Sequence, residues 1–234
     1  MHRYSRFALS YAPDPETDLA VLGKHWLGWD LERGQDVPLL KIDRLPLPLS
    51  KIAARRRRYG CQALLVAPFR LAAGHSPLDL HHRARAIAEH CTEVPLAGLR
   101  LDPQSGAIAL LPRDESPALE RFCTTVTRSF QDLQVPATGP AHAEAPRPDT
   151  PPPFQFQLSD TLPRAELIAL AAAMRPIIEP NLPRPFHLRS LSLVGEDATG
   201  WFRLIQRYPL RASGTALISD APIRAERPRM PLLW

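Results

Sequence analysis

Two glutamines stand where chemistry would be expected. Gln62 lies in "RRYGCQALLVAPFRL", residues 57–71, an apolar stretch that ends at a Pro stop, and Gln157 lies in the alternating "FQFQLS", residues 154–159. An amide without a partner in an apolar strand costs about 1 to 3 kcal/mol, so Gln62 must either hydrogen-bond to a neighbour or face an open cleft. Directly before it runs "ARRRRYG", with Arg55 to Arg58 followed by Tyr59. Guanidinium groups pair bidentately with phosphate and a tyrosine face stacks on bases. Arg57, Arg58 and Tyr59 therefore read as an anion-binding or ligand-binding funnel, or as a contact for single-stranded RNA. The competing reading of the run is a solvated loop.

Other candidates carry less chemistry. Cys61 neighbours Gln62, but strand alternation turns it to the opposite face and away from any nucleophilic role beside the amide. His187 and Arg189 lie two apart on one expected strand, residues 186–194, and read as an exposed strand pair. His82 and His90 share a helix face two turns apart, too far for one metal ion. The turn "GEDATG" lacks the Lys and Ser or Thr of a phosphate loop. No metal and no cofactor is expected.

The elements that must position these residues can be read from periodicity and punctuation. A strand is expected over residues 6–11, a helix over 16–27, an irregular Pro-punctuated stretch over 28–50 and a strand over 60–68. Ser76 with Pro77, and Ser116 with Pro117, cap helices to about Cys91 and Leu133, with a hairpin of residues 96–101 and 107–111 between them. The Pro-rich stretch 135–153 reads as a linker. After it come a strand at 154–159, a helix from Pro163 to about Ile178, a hairpin turning near Gly200 and a Pro/Arg-rich tail from 212. This gives an N-terminal part, 1–134, and a second lobe, 154–211, within one compact bilobal unit. Gln62 lies 44 residues before Gly106 and Gln157 lies 43 before Gly200, as in a duplicated lobe that turns both glutamines to a common cleft.

Composition sets the bounds. The 234 residues carry a net charge of +5, from 29 Lys and Arg against 24 Asp and Glu. Lys24, Lys41 and Lys51 are the only lysines, and the arginine excess allows an anionic partner, although a high-GC genome writes the same bias. Cys61, Cys91 and Cys123 form no Cys-x-x-Cys pair and fit buried thiols in a reduced cytoplasm. The longest apolar run, residues 167–174, is too short to span a bilayer, so no membrane association is expected.

The segments "RYSRFALSYAP", "HWLGWD", "RRYGCQALLVAPFRLAAG", "FQFQLSDTLP" and "GWFRLIQRYPL" together resemble the two-histidine (2H) phosphoesterase superfamily, in its branch associated with phosphonate-metabolism operons. The resemblance implies a bilobal α+β fold in which two mainly antiparallel sheets line a central cleft with helices outside. It also implies that each lobe supplies one His-x-Thr motif. Gln62 and Leu64 occupy the first motif's histidine and threonine positions, and Gln157 and Ser159 occupy the second's. A neutral amide can neither take nor give a proton as imidazole does near neutrality, and losing such a group costs about 10²- to 10⁴-fold in rate. What the resemblance implies is thus a catalytically degenerate member whose former active site binds a phosphorylated small molecule, a nucleotide or an RNA end. A non-catalytic scaffold with a protein partner is the alternative, and a residual cyclic phosphodiesterase ranks third.

Overall fold

The computed structural model describes residues 4–42, 45–103, 106–135 and 150–212. Most of the linker 135–153 and the tail expected from 212 therefore lie outside the described residues. Strand β1 (Arg6–Tyr11) leads to helix α1 (Asp18–Leu27), the two-residue strands β2 (Trp29–Asp30) and β3 (Gln35–Asp36), and the short helix α2 (Leu49–Ile52). A 3-10 turn, Arg56–Tyr59, precedes β4 (Ala63–Phe69). Then come α3 (Pro77–His90), β5 (Val94–Leu96), β6 (Leu99–Asp102), β7 (Ala109–Pro112) and α4 (Pro117–Ser129). The remaining elements are β8 (Phe156–Gln157), α5 (Arg164–Ile178), β9 (Phe186–Leu188), β10 (Ser190–Glu196) and β11 (Phe202–Pro209).

The helix starts follow their caps. The Thr17 side chain accepts from Ala20 N at the head of α1, Ser76 and Asp79 form a reciprocal capping box on α3, and Ser116 accepts from Leu119 N on α4. Pro77 and Pro117 sit in the first turn, where a missing N–H costs nothing.

Seven strands form one antiparallel sheet in the order β11-β10-β1-β4-β8-β7-β6. The two sheets of the expected α+β architecture are thus joined edge to edge, through Ala63 paired with Phe156. The lobes, however, are not the two halves of the chain. The C-terminal hairpin β10–β11 packs beside β1 and β4, and the hairpin β6–β7 from the first half packs beside β8. All seven residues of β10 are buried, and a strand buried on both faces needs a partner on each side, which β1 and β11 supply. A division at 135–153 therefore separates the sequence without separating the lobes. The expected strand at 154–159 is shortened to Phe156–Gln157, and the one expected over 186–194 divides into β9, which pairs with β5, and β10.

Helix α3 packs against β10 and β11, α4 against β4, and α5 against β6, enclosing the main core. A smaller cluster of Ala8, Ala12, Trp29, Leu31, Val194 and Phe202 is joined by Tyr59 and Leu64. Trp26, fully buried on α1, donates its indole N–H to Leu158 O at 2.7 Å and so fastens the first lobe's helix to the residue after β8. Trp26→Phe leaves that carbonyl without its donor and is expected to lower stability by about 1 to 3 kcal/mol in denaturant unfolding.

The β10–β11 turn is organised by Asp197. Its carboxylate accepts from Thr199 N and Oγ1, from Trp201 N and from Arg203 Nε at 2.6 Å. Desolvation would raise its pKa, but the hydrogen bonds from Thr199, Arg203 and Trp201 together outweigh it and hold the group at about 2, below its usual value. A folded pKa below the unfolded one contributes stability that is present above about pH 4 and lost as the pH falls toward 2. The melting-temperature gap between wild type and Asp197→Asn is therefore expected to be full at pH 7 and to close between pH 4 and pH 2.

Candidate functional site

Gly60 sets the geometry of the first motif. Its φ of 69° and ψ of −178° lie in a region open essentially only to glycine, and a Cβ there would meet Leu31 and Trp29 at 3.0 and 3.2 Å. This turn delivers Cys61 and Gln62 to the head of β4 on opposite faces. Cys61 is buried against Gly23 of α1, and burial pushes its thiol up to about 12, which leaves no nucleophile there.

Gln62 and Gln157 line one cavity of about 150 Å³, together with Arg56, Tyr59, Gly60, Leu64, Pro152, Pro153 and Gln155. The register explains the convergence. Ala63 pairs with Phe156 in an antiparallel ladder, so its extension by one residue sets Gln62 opposite Gln157, and by one the other way Leu64 opposite Gln155. Directly opposed residues share a face, and all four line the cavity. Gln62 is 5% exposed; its Nε2 donates to Tyr59 O at 2.6 Å, and its Oε1 is buried without a partner.

The arginine run divides between two roles. Arg57 turns away from the cavity: its Nη2 donates to Asp36 Oδ1 at 2.9 Å and to Gly28 O at 3.3 Å, and its guanidinium lies 5.2 Å from the Trp201 ring centre. Its expected ligand contact is corrected to a structural tie that fixes the β2–β3 hairpin to the β10–β11 turn. Arg58 lines an adjoining depression of about 420 Å³ with Lys51, Arg55, Arg56, Tyr59, Asp160, Thr161 and Leu162. Tyr59 and Arg56 border both spaces. The Tyr59 ring stacks on Phe202 at 4.9 Å between centroids, and the Arg56 and Arg58 guanidiniums lie 5.7 and 5.5 Å from its centre.

Ser159 is the second correction. It is fully buried, accepts from Ile108 N at 2.8 Å and donates to Asp160 O at 2.8 Å, so its hydroxyl is used inside the fold and it does not line the cavity. The residue that sequence reasoning passed over is Asp160, whose carboxylate accepts from Arg55 N at 2.8 Å and Arg56 N at 3.1 Å. Its own N–H donates to Ile52 O, so it clamps the arginine turn from across the cleft. The signal was an acid just after the second motif, legible only once β8 is known to lie beside β4.

Leu64 faces the cavity and packs in the smaller apolar cluster, while Val66 belongs to the main core. Among the described residues no group of His, Cys, Asp and Glu could hold a metal ion, and no helix is long and apolar enough to cross a membrane.

The motif segments thus occupy two central, adjacent, antiparallel strands whose first-motif and second-motif positions share one cavity, and residues 64–150 match the family described as "Protein of unknown function (DUF1045)". The chain is 33% identical over 147 residues, 61% of its length, to the ribose 1,5-bisphosphate phosphokinase PhnN of Janthinobacterium sp. (strain Marseille). It spans about a third of that longer protein, 32%. Among solved structures, one described as a phosphoesterase is 15% identical with a TM-score of 0.47, covering 89% of this chain and 99% of its own. Escherichia coli LigT complexed with 3′-AMP is 13% identical with a TM-score of 0.43, covering 88% of this chain and 98% of its own.

Gly60→Ala is expected to destabilise by about 1 to 3 kcal/mol, since the backbone angle and the contact with Leu31 both resist a Cβ. Denaturant unfolding checks the magnitude. Gly74→Ala, where φ is also positive but a Cβ meets nothing within 4 Å, separates the steric part from the backbone part.

Proposed function

We propose that this 2H-type protein binds a phosphorylated small molecule in the cavity at Gln62 and Gln157 without turning it over. One observation carries the reading: among the described residues, the cavity lining contains no histidine, carboxylate, lysine or cysteine, while both histidine positions of the 2H pattern hold glutamine. Opening a cyclic phosphodiester needs a proton acceptor for the attacking oxygen and a donor for the leaving one, and amides supply neither. Lys51, Arg55, Arg56 and Arg58 around the adjoining depression supply positive charge for a phosphate.

Two further points support a small phosphorylated ligand. The PhnN relative is named for a phosphokinase acting on a bisphosphorylated ribose, and the phosphonate-operon branch that the sequence resembles fits the same class of compound. The cavity of about 150 Å³ suits part of a small molecule better than a stacked run of bases.

Purified protein is expected to show no hydrolysis of 2′,3′-cyclic nucleotides above background. It is also expected to bind methyl phosphate in calorimetry, with Arg56→Ala and Arg58→Ala each weakening binding about tenfold, the scale of one charge-assisted hydrogen bond. Turnover by wild type that Gln62→Ala and Gln157→Ala both abolish overturns the non-catalytic reading. Absence of methyl phosphate binding favours the alternative of a scaffold with a protein partner.

A further inference from the structure

The orientation of the Gln62 amide decides what the cavity can recognise. Tyr59 O lies 2.6 Å from one terminal atom of that amide, and a carbonyl can only accept, so the atom facing it must be Nε2. Turning the amide over would press two acceptor oxygens together at hydrogen-bonding distance. Oε1 is therefore fixed on the other side, in a side chain that lines the cavity, buried and without a donor. Leaving a buried acceptor unpaired is unfavourable, and a phosphate dianion, which offers only acceptors, cannot relieve it.

Resting on the reading of the cleft as a phosphate-ligand site, we infer that Gln62 is a specificity residue that selects a hydroxyl donor, and that the ligand is a phosphorylated sugar. The sugar hydroxyl donates to Gln62 Oε1, while its phosphate lies on the cationic side with Arg56, whose side chain borders both the cavity and the basic depression. Asp160 is the positioning residue of that side. It holds the Arg55 and Arg56 backbone N–H groups and thereby sets where the arginine turn presents its charge. A phosphate ester lacking hydroxyls engages only the cationic half of this site and leaves Oε1 unpaired.

The test compares ribose 5-phosphate with methyl phosphate by isothermal titration calorimetry at one ionic strength. Wild type is expected to bind ribose 5-phosphate at least tenfold more tightly. Gln62→Leu and the near-isosteric Gln62→Met, each checked for a cooperative melt, are expected to lose the preference, bringing the two affinities within about twofold of each other. Arg56→Ala is expected to weaken both ligands in parallel. Equal wild-type affinities, or a preference for ribose 5-phosphate that survives in Gln62→Met, overturn the hydroxyl-selecting role while leaving phosphate binding intact. Failure of wild type to bind either compound overturns this inference together with the reading it rests on.

Discussion

The contact between β4 and β8 is the constraint on which the site depends. It consists of one registered pair, Ala63 with Phe156, at the seam between two smaller sheets. A one-residue slip there would turn Gln62 and Gln157 to opposite faces and dissolve the cavity. So short a ladder cannot fix its own register. The fixing comes from side chains around it: Trp26 on Leu158 O, Ser159 on Ile108 N and Asp160 O, and Asp160 on the Arg55 and Arg56 N–H groups. Three consecutive residues after Gln157 thus join elements from the first half of the chain to the second motif.

Exchange of the hairpins reinforces the same seam. Because β10–β11 extends the sheet of β1 and β4, and β6–β7 extends that of β8, neither lobe can form from one half of the chain alone. The core is accordingly continuous from one lobe to the other, with Leu65 and Phe156 in one cluster. A cleft between lobes built this way is held open or closed by shared packing, which favours a preformed site over one assembled by hinge motion.

Charge near the cleft is sorted by what each arginine touches. Arg57 is taken up by Asp36 and Trp201, and Arg6 by Glu196, whose carboxyl it holds below its usual range. Arg56 and Arg58 lie against the Tyr59 ring at the border of the cavity, where their guanidiniums remain oriented by a stacked aromatic. A basic composition by itself says little about function, whereas this distribution places Arg56 and Arg58 beside a pocket lined by Gln62, Gln155 and Gln157, in which Gln62 Oε1 is buried without a partner.

Much of this was legible in the sequence because it is encoded locally. Ser76 with Pro77 and Ser116 with Pro117 start helices where their hydrogen bonds dictate, β1 falls on its alternating residues, and the glycines near the two hairpin tips adopt positive φ. The convergence of Gln62 and Gln157 followed from a repeated spacing and a family pattern. The fates of Arg57 and Ser159 did not, because each is decided by partners distant in sequence, Asp36 and Trp201 for the one and Ile108 for the other. The sequence determined which residue types reach the cleft. Only tertiary structure decided which of them face it, because register across β4 and β8, and the carbonyl of Tyr59 that orients the Gln62 amide, exist only once the halves have packed together.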